Sequence, residues 1–411
     1  MKDLLFVSNG HGEDVIAGRV LDEIRASRPE IAIEAWPMVG EGAAYAARGV
    51  PTVGARNLLP SAGFATLDPS LMIGDLKAGW IRTHWRQIQY ARSIRGRYGI
   101  LVAVGDIVPI AAGVFSHSPF AFIGCAKSSY YRANHGYTAL EKHLLRRHCL
   151  VTFPRDRLTV AELERAGVRC HYAGNPMMDG LEGSGDRLGT DDTDIVIGMM
   201  AGTRADAESN LLDLLAGAAA TALRSPDAAR LRFIFAARDG LDPIDLAEQI
   251  AHDARLTEWN VRPKPQSKHG PGTVMEVDGP GGARALVTKG RFADVLRLSR
   301  LVVSMAGTAS EQAVGLGKPL IQVPSSGVQG ERYVKMKMEY FGESALAVPR
   351  DPERIADAVL ELLGDPARCA RMAAAGRERM GEPGASRAIA DVILGEFDKL
   401  ARMRTVERCP A

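Results

Sequence analysis

The side chains of this chain with the most chemical potential follow short apolar runs. The first run, Leu4-Leu5-Phe6-Val7, opens onto Ser8-Asn9-Gly10-His11-Gly12-Glu13-Asp14. Ligands of parallel sheets gather beyond the carboxyl ends of the strands, so this turn occupies a favoured place for a site. Gly10 and Gly12 would let a substrate come close to the backbone, and the helix expected from about Glu13 to Ser27 would offer its N-terminus to an anion. An imidazole titrates near neutral pH, which makes His11 a candidate general base for an acceptor hydroxyl. Asn9, Gly10, Gly12, Glu13 and Asp14 are the candidates on the acceptor side. The competing reading is that Asn9, Glu13 and Asp14 only cap the helix and His11 is a solvated loop residue. The turn has neither full G-x-G-x-x-G spacing nor a P-loop lysine, so neither nucleotide fingerprint is present. Asp106, in Val104-Gly105-Asp106-Ile107-Val108-Pro109, is the second candidate base, with capping of the next helix as its alternative.

A second constellation lies in the other half of the chain. Met200-Ala201-Gly202-Thr203-Arg204 stands between an apolar run and a helical pattern, where backbone amides can meet phosphate. Arg204 adds a planar cationic fork suited to a pyrophosphate, a structural ion pair being its alternative. Ser304-Met305-Ala306-Gly307-Thr308-Ala309-Ser310-Glu311 repeats the arrangement with small residues, and Gly307, Thr308 and Ala309 would let a diphosphate reach a helix N-terminus. Glu311, one turn on, can accept two hydrogen bonds from ribose hydroxyls; a capping box with Thr308 is the alternative. Gln329, in the polar loop Pro324 to Gln329, can both donate to and accept from sugar hydroxyls. The stretch Val287 to Phe292 can hold a base edge by its backbone, with Phe292 beside it. The D-x-D at Asp192-Thr193-Asp194 falls in a linker and reads as solvated charge, so no metal site is expected.

The elements that would position these residues alternate short apolar runs with helix-patterned stretches, which predicts an α/β fold of parallel sheets. A chain of 411 residues exceeds one ordinary domain. The expected division is a Rossmann-like acceptor domain over 1–180, a Rossmann-like donor domain over 191–385, and a helix over 386–411 that packs back toward the first. Gly, Ser and Asp dominate from Gly180 to Asp194, the expected linker. Lys and Arg total 51 against 49 acids, a formal charge of +2, so no bulk field points to nucleic acid. Five cysteines without a C-x-x-C pair fit a reducing compartment and give no metal spacing. Met1-Lys2-Asp3 runs straight into an apolar strand without a signal-peptide core, which predicts a cytoplasmic protein. Between Leu71 and Tyr98, Trp80, Trp85 and Tyr90 are interleaved with Lys77, Arg82, Arg86, Arg92, Arg95 and Arg97, Asp75 being the one acid. Such a stretch suits an amphipathic surface on anionic headgroups at the inner membrane face, or an ordinary helix with a buried aromatic side.

Three segments resemble lipid-A-disaccharide synthase and its relatives: Gly307-Thr308-Ala309-Ser310-Glu311, Ala201-Gly202-Thr203-Arg204 followed by Glu208, and Tyr172-Ala173-Gly174-Asn175-Pro176-Met177-Met178-Asp179. The Gly-His turn and the Gln329 loop are also similar to the peptidoglycan N-acetylglucosaminyltransferase. The resemblance implies a GT-B fold, two Rossmann-like domains facing across a cleft with a C-terminal helix crossing back. It further implies a UDP-sugar donor held mainly by the second domain, metal-independent inverting transfer without a cofactor, and a lipid-linked acceptor. Where the synthases open with G-E-A-S-G-D, this chain has Ser8 to Asp14, and their G-I-D-A-P-D-F is replaced by Gly105 to Ile110. The acceptor therefore stays open. Alternatives are a nucleotide-sugar epimerase or hydrolase of the same fold and a non-catalytic nucleotide-sugar binding protein.

Overall fold

The computed structural model describes residues 2–56, 80–131, 136–261 and 272–408. The chain divides into two compact units, Met1–Asp179 with Gly381–Ala411, and Gly180–Met380.

In unit 1, β1 (Lys2–Ser8), β2 (Ile33–Pro37), β3 (Tyr98–Val104), β4 (Phe120–Gly124) and β5 (Cys149–Pro154) form a parallel sheet in the order β2-β1-β3-β4-β5. Strands of a parallel sheet are covered on both faces, which is why they read as unbroken apolar runs. Leu4, Leu5, Phe6 and Val7 are all fully buried. The helices of this unit are α1 (His11–Ser27), α2 (Ala43–Ala46), α3 (Trp80–Ser93), α4 (Ile107–Ser116), α5 (Ala139–His148) and α6 (Arg157–Arg165). In α1, Ile16, Ala17, Val20, Leu21 and Ile24 make the buried stripe expected of a helix laid on a sheet. Thr138 and Glu141 start α5 with a reciprocal capping box.

Unit 2 carries β6 (Ile195–Met200), β7 (Leu231–Ala237), β8 (Asn260–Val261), β9 (Thr273–Asp278), β10 (Arg284–Lys289), β11 (Leu301–Ser304), β12 (Leu320–Gln322) and β13 (Ala345–Ala347). They order as β13-β12-β11-β6-β7-β10-β9-β8, parallel except where β9 runs antiparallel to β8 and β10. The β8–β9 edge is not anticipated by the β-α alternation; β9 has its own signal, the alternating burial of Thr-Val-Met-Glu-Val-Asp. Helices α7 (Ala207–Arg224), α8 (Pro243–His252), α9 (Phe292–Leu298), α10 (Thr308–Gly315), α11 (Glu331–Phe341), α12 (Pro352–Gly364) and α13 (Pro366–Met380) complete the unit. The stretch 180–194, expected as a linker, is part of this unit. Leu181 and Leu188 are buried, and Asp294 accepts from the amides of Ser184 and Gly185 at 2.6 and 3.2 Å.

The final helix, α14 (Ala385–Arg408), belongs to unit 1. Ala385, Ile389, Ala390 and Ile393 enter the same apolar core as α1 and β1. Asp179 accepts from the Ser386 amide at 2.7 Å and so fixes the helix start. Among the described residues no helix is long and apolar enough to cross a membrane.

Candidate functional site

In unit 1 the chain runs from β1 outward to β2 and then to β3 on the other side of β1, so the strand order reverses between β1 and β3. Loops leaving two such strands diverge and open a crevice at their carboxyl ends. Asn9 and Asp106 meet there: the Asn9 amide donates to both carboxylate oxygens of Asp106 at 3.1 and 3.2 Å. Asp106 also caps α4, accepting from the Val108 amide at 2.9 Å. Its half-buried carboxyl is pushed above the usual range by burial, against the bonds from Val108 and Asn9 and the charge of Lys127. Asp106 thus caps α4 while its carboxylate also holds Asn9 in the crevice of unit 1.

His11 is the exposed first residue of α1 and lies inside the helix rather than in the preceding loop. Its ring packs on Gly40, where φ is +77° and a Cβ would come within 2.5 Å of the imidazole. The expected caps are employed elsewhere. Gly10 is the N-cap residue and makes no side-chain bond. Glu13 is half-buried under Gly10 and Gly105, and Gly12 is exposed. Asp14 is only 1% exposed and accepts from Ser8 Oγ at 2.6 Å, Ser8 in turn lying 2.6 Å from the Tyr45 hydroxyl. Burial pushes the Asp14 carboxyl up to about 6, opposed by the Ser8 bond and the neighbouring His11. Ser8 and Tyr45 were not foreseen, since nothing in their spacing joins residues 8, 14 and 45.

In unit 2 the order reverses between β6 and β11. The Met305 amide donates to Met200 O at 2.9 Å, which brings the two small-residue loops side by side. Gly202 has φ +90°, and a Cβ there would stand 3.9 Å from Ala306 Cβ. Gly307 is the N-cap of α10. A Cβ on it would lie 2.5 Å from both the near end of the Gln329 amide and the Tyr333 hydroxyl, so a larger residue would displace them. In the orientation that satisfies its neighbours, the Gln329 amide donates to Met305 O and accepts from Gly307 N, each at 3.2 Å. Gln329 was expected on sugar hydroxyls; it is instead buried and braces this turn. Thr203, Arg204 and Thr308 are exposed and Ala309 is half-buried, all at the carboxyl edge of the sheet. Asp206 accepts from the Gly327 amide at 3.1 Å and Asn210 Oδ1 from the Ser326 amide at 3.5 Å, tying the loop after β12 to the start of α7, while the Asn210 amide donates to Ala201 O at 3.0 Å in the loop after β6. Their spacing of four on a helix start is a signal the motif reading passed over.

Glu311 departs further from expectation. Its carboxylate is buried and ion-paired with Lys337 of α11, whose ammonium stands 5.6 and 5.8 Å from the Tyr333 and Tyr340 ring centres. The capping-box alternative is not the arrangement either, because Gly307 holds the N-cap position. Phe292 is half-buried as the first residue of α9, at the carboxyl end of β10. Asp192 is solvated as expected, whereas Asp194 is buried in an ion pair of 2.8 Å with Arg232. Among the described residues no group of three or more His, Cys, Asp or Glu could hold a metal ion.

In the basic aromatic stretch, Lys77 and Asp75 lie outside the described residues. Arg82, Trp85, Arg86, Arg92 and Arg95 are exposed, Trp85 to 54%, while Tyr90 packs edge-on against Trp36 at 4.8 Å.

Two Rossmann-like parallel-sheet units in one chain, closed by a helix that returns to the first, make this a GT-B fold. No family model and no curated protein matches the sequence. Solved structures do resemble it. MurG of Acinetobacter baumannii is 13% identical over 96% of this chain and 100% of its own, with a TM-score of 0.57. The calicheamicin glycosyltransferase is 16% identical over 96% and 98%, with a TM-score of 0.58. The UDP-GlcNAc 2-epimerase of Neisseria meningitidis, solved with UDP-GlcNAc, is 14% identical over 96% and 100%, with a TM-score of 0.52.

Proposed function

We propose that the chain is an inverting, metal-independent glycosyltransferase that takes its sugar from a UDP-sugar. The observation that carries this reading is the convergence, at the strand-order reversal of unit 2, of the Gly202–Arg204 loop with the glycine-capped N-terminus of α10. The positive end of a helix and an exposed guanidinium are what a diphosphate requires. The GT-B neighbours, two of them named for UDP-GlcNAc or for glycosyl transfer, support the same assignment.

In this reading unit 2 holds the donor and unit 1 supplies the base. His11 or Asp106 takes the proton of an acceptor hydroxyl, whose oxygen forms the new bond to the anomeric carbon as the bond to the diphosphate breaks. Arg204 and the α10 N-terminus stabilise the departing UDP. Exposed Trp85 among arginines supports a lipidic acceptor. The epimerase neighbour with bound UDP-GlcNAc supports a second reading, sugar isomerisation or hydrolysis without an acceptor.

The test has three parts. UDP should bind wild type, and Arg204→Ala should weaken it about tenfold, as expected for a hydrogen bond to a charged group. Turnover of a UDP-sugar should require an acceptor, sought first in lipid extracts. His11→Ala or Asp106→Asn should then cost about 10²-fold in turnover at unchanged UDP affinity. Calorimetry without UDP binding would sink the proposal, acceptor-independent turnover would replace it by the second reading, and UDP binding without any turnover would leave a binding protein.

A further inference from the structure

The carboxyl edge of the unit 2 sheet carries a second arginine beside the Gly202–Arg204 loop. Met199 of β6 pairs with Phe235 of β7, and three residues further along each chain Gly202 and Arg238 leave the sheet at the same edge. Neighbouring strands run about 4.8 Å apart, so the two segments are adjacent. On the other side of β7, Ala237 pairs with Lys289 of β10.

The Arg238 side chain turns onto the start of α7. Its Nη2 donates to Oε1 of Glu208 at 2.5 Å. Glu208 follows Ala207, whose amide donates to Arg204 O at 3.0 Å, so the Arg238 guanidinium lies beside the turn that carries Arg204. The backbone beneath it is fixed, because Leu241 donates its amide to Arg238 O at 3.2 Å and Lys289 Nζ donates to Leu241 O. Asp206, the other acid of this turn, has its carboxylate on the Gly327 amide.

One end of the guanidinium is unemployed. Nη1 has no hydrogen-bond partner among the described residues, and it is accessible rather than enclosed, the side chain as a whole keeping 36% of its surface. Exposed Gly240 borders it; a Cβ there would come within 3.2 Å of Nη1. Glu208 is open to a similar degree, at 33%. An ion pair so exposed is weak, so a more highly charged anion can share the guanidinium without first breaking a strong bond. Phosphate oxygens match the planar fork of an arginine, which can give them two parallel N–H bonds.

We propose that Arg238 is a second diphosphate-binding residue of unit 2, acting beside Arg204, with Glu208 as its counter-charge. This rests on the reading of unit 2 as the holder of a UDP-sugar. Arg204 and the α10 N-terminus approach the two phosphates from the ends of β6 and β11; Arg238 adds a fork from β7, and the site thereby favours nucleoside diphosphates over the bare nucleoside.

The test compares UDP, by calorimetry, with uridine, by ligand-observed NMR, on the full chain. Arg238→Gln should weaken UDP about tenfold, as expected for a hydrogen bond to a charged group, and leave uridine unchanged. Glu208→Gln keeps an oxygen for Nη2 and removes the competing charge, so UDP should bind about threefold more tightly, in line with the small worth of an exposed ion pair. That gain should vanish when Arg238→Gln is added. The inference is overturned if Arg238→Gln leaves the ratio of UDP to uridine affinity as in wild type, or if Glu208→Gln fails to tighten UDP. Should Arg238→Gln not fold, the Glu208→Gln measurement decides by itself. No UDP binding to wild type would overturn the donor reading along with this inference, whereas UDP binding that ignores both substitutions overturns the role of Arg238 alone.

Discussion

A carboxyl group buried like Asp14 and held by one hydroxyl is stabilised more by its proton than by its charge. Taking about 6 in the fold against about 4 in an unfolded chain, ionisation costs unit 1 about 3 kcal/mol. Because the folded value is the higher one, the contribution of Asp14 to stability is whole below pH of about 4. It is lost as pH rises through about 6. Asp14→Asn keeps an acceptor for Ser8 and removes the charge, so it should unfold at higher urea than wild type at pH 7.5, with the difference closing toward pH 4.5. A pH-independent difference would mean that Asp14 titrates normally. At this scale the sequence was uneven. Asp106 and His11 could be picked out because each follows an apolar run at a strand end. Tyr45, which reaches Asp14 through Ser8, and Lys127, whose charge acts on Asp106, come from distant parts of the chain, and no spacing rule reaches them.

Between elements, the Glu311–Lys337 pair joins α10 to α11. Breaking a buried pair leaves one charge without its partner, which costs about 3 to 5 kcal/mol, while replacing both can be nearly neutral. Lys337→Met should therefore destabilise unit 2 far more than Glu311→Gln with Lys337→Met together, as read by denaturant unfolding of each variant. If Glu311 also reaches a ribose, UDP affinity falls in the double variant as well; unchanged affinity confines the pair to structure. The β-α alternation was legible because parallel strands covered on both faces must be apolar and must be followed by a crossover helix. It gave β1, β3, β6 and β11 and the glycine loops after them. It could not give the antiparallel β8 and β9, which obey a different period, nor the burial of Glu311, since Lys337 lies a loop and a strand away in the chain.

At the scale of the molecule, unit 1 is assembled from both ends of the sequence. Ile389 and Ile393 of α14 are fully buried in its core, and burying each such side chain is worth roughly 1.5 to 3 kcal/mol. Together with Ala385, Ala390 and Leu394 this approaches the whole stability of an ordinary domain, about 5 to 15 kcal/mol. Truncation after Met380 should abolish the folding of unit 1 and leave the transition of unit 2, which hydrogen exchange resolves segment by segment. Protection of β1 and β3 persisting in the truncated chain would show that the sheet and α1 suffice. The same return of the chain sets an order on biosynthesis. Domains usually mature in the order in which they leave the ribosome. Here the second unit has all of its residues while the first still lacks its closing helix, so the nascent first half must wait, with the apolar groove for α14 uncovered, until that helix emerges. A chaperone that shields β1 and α1 would act in that interval, and a pause between α13 and α14 would lengthen it.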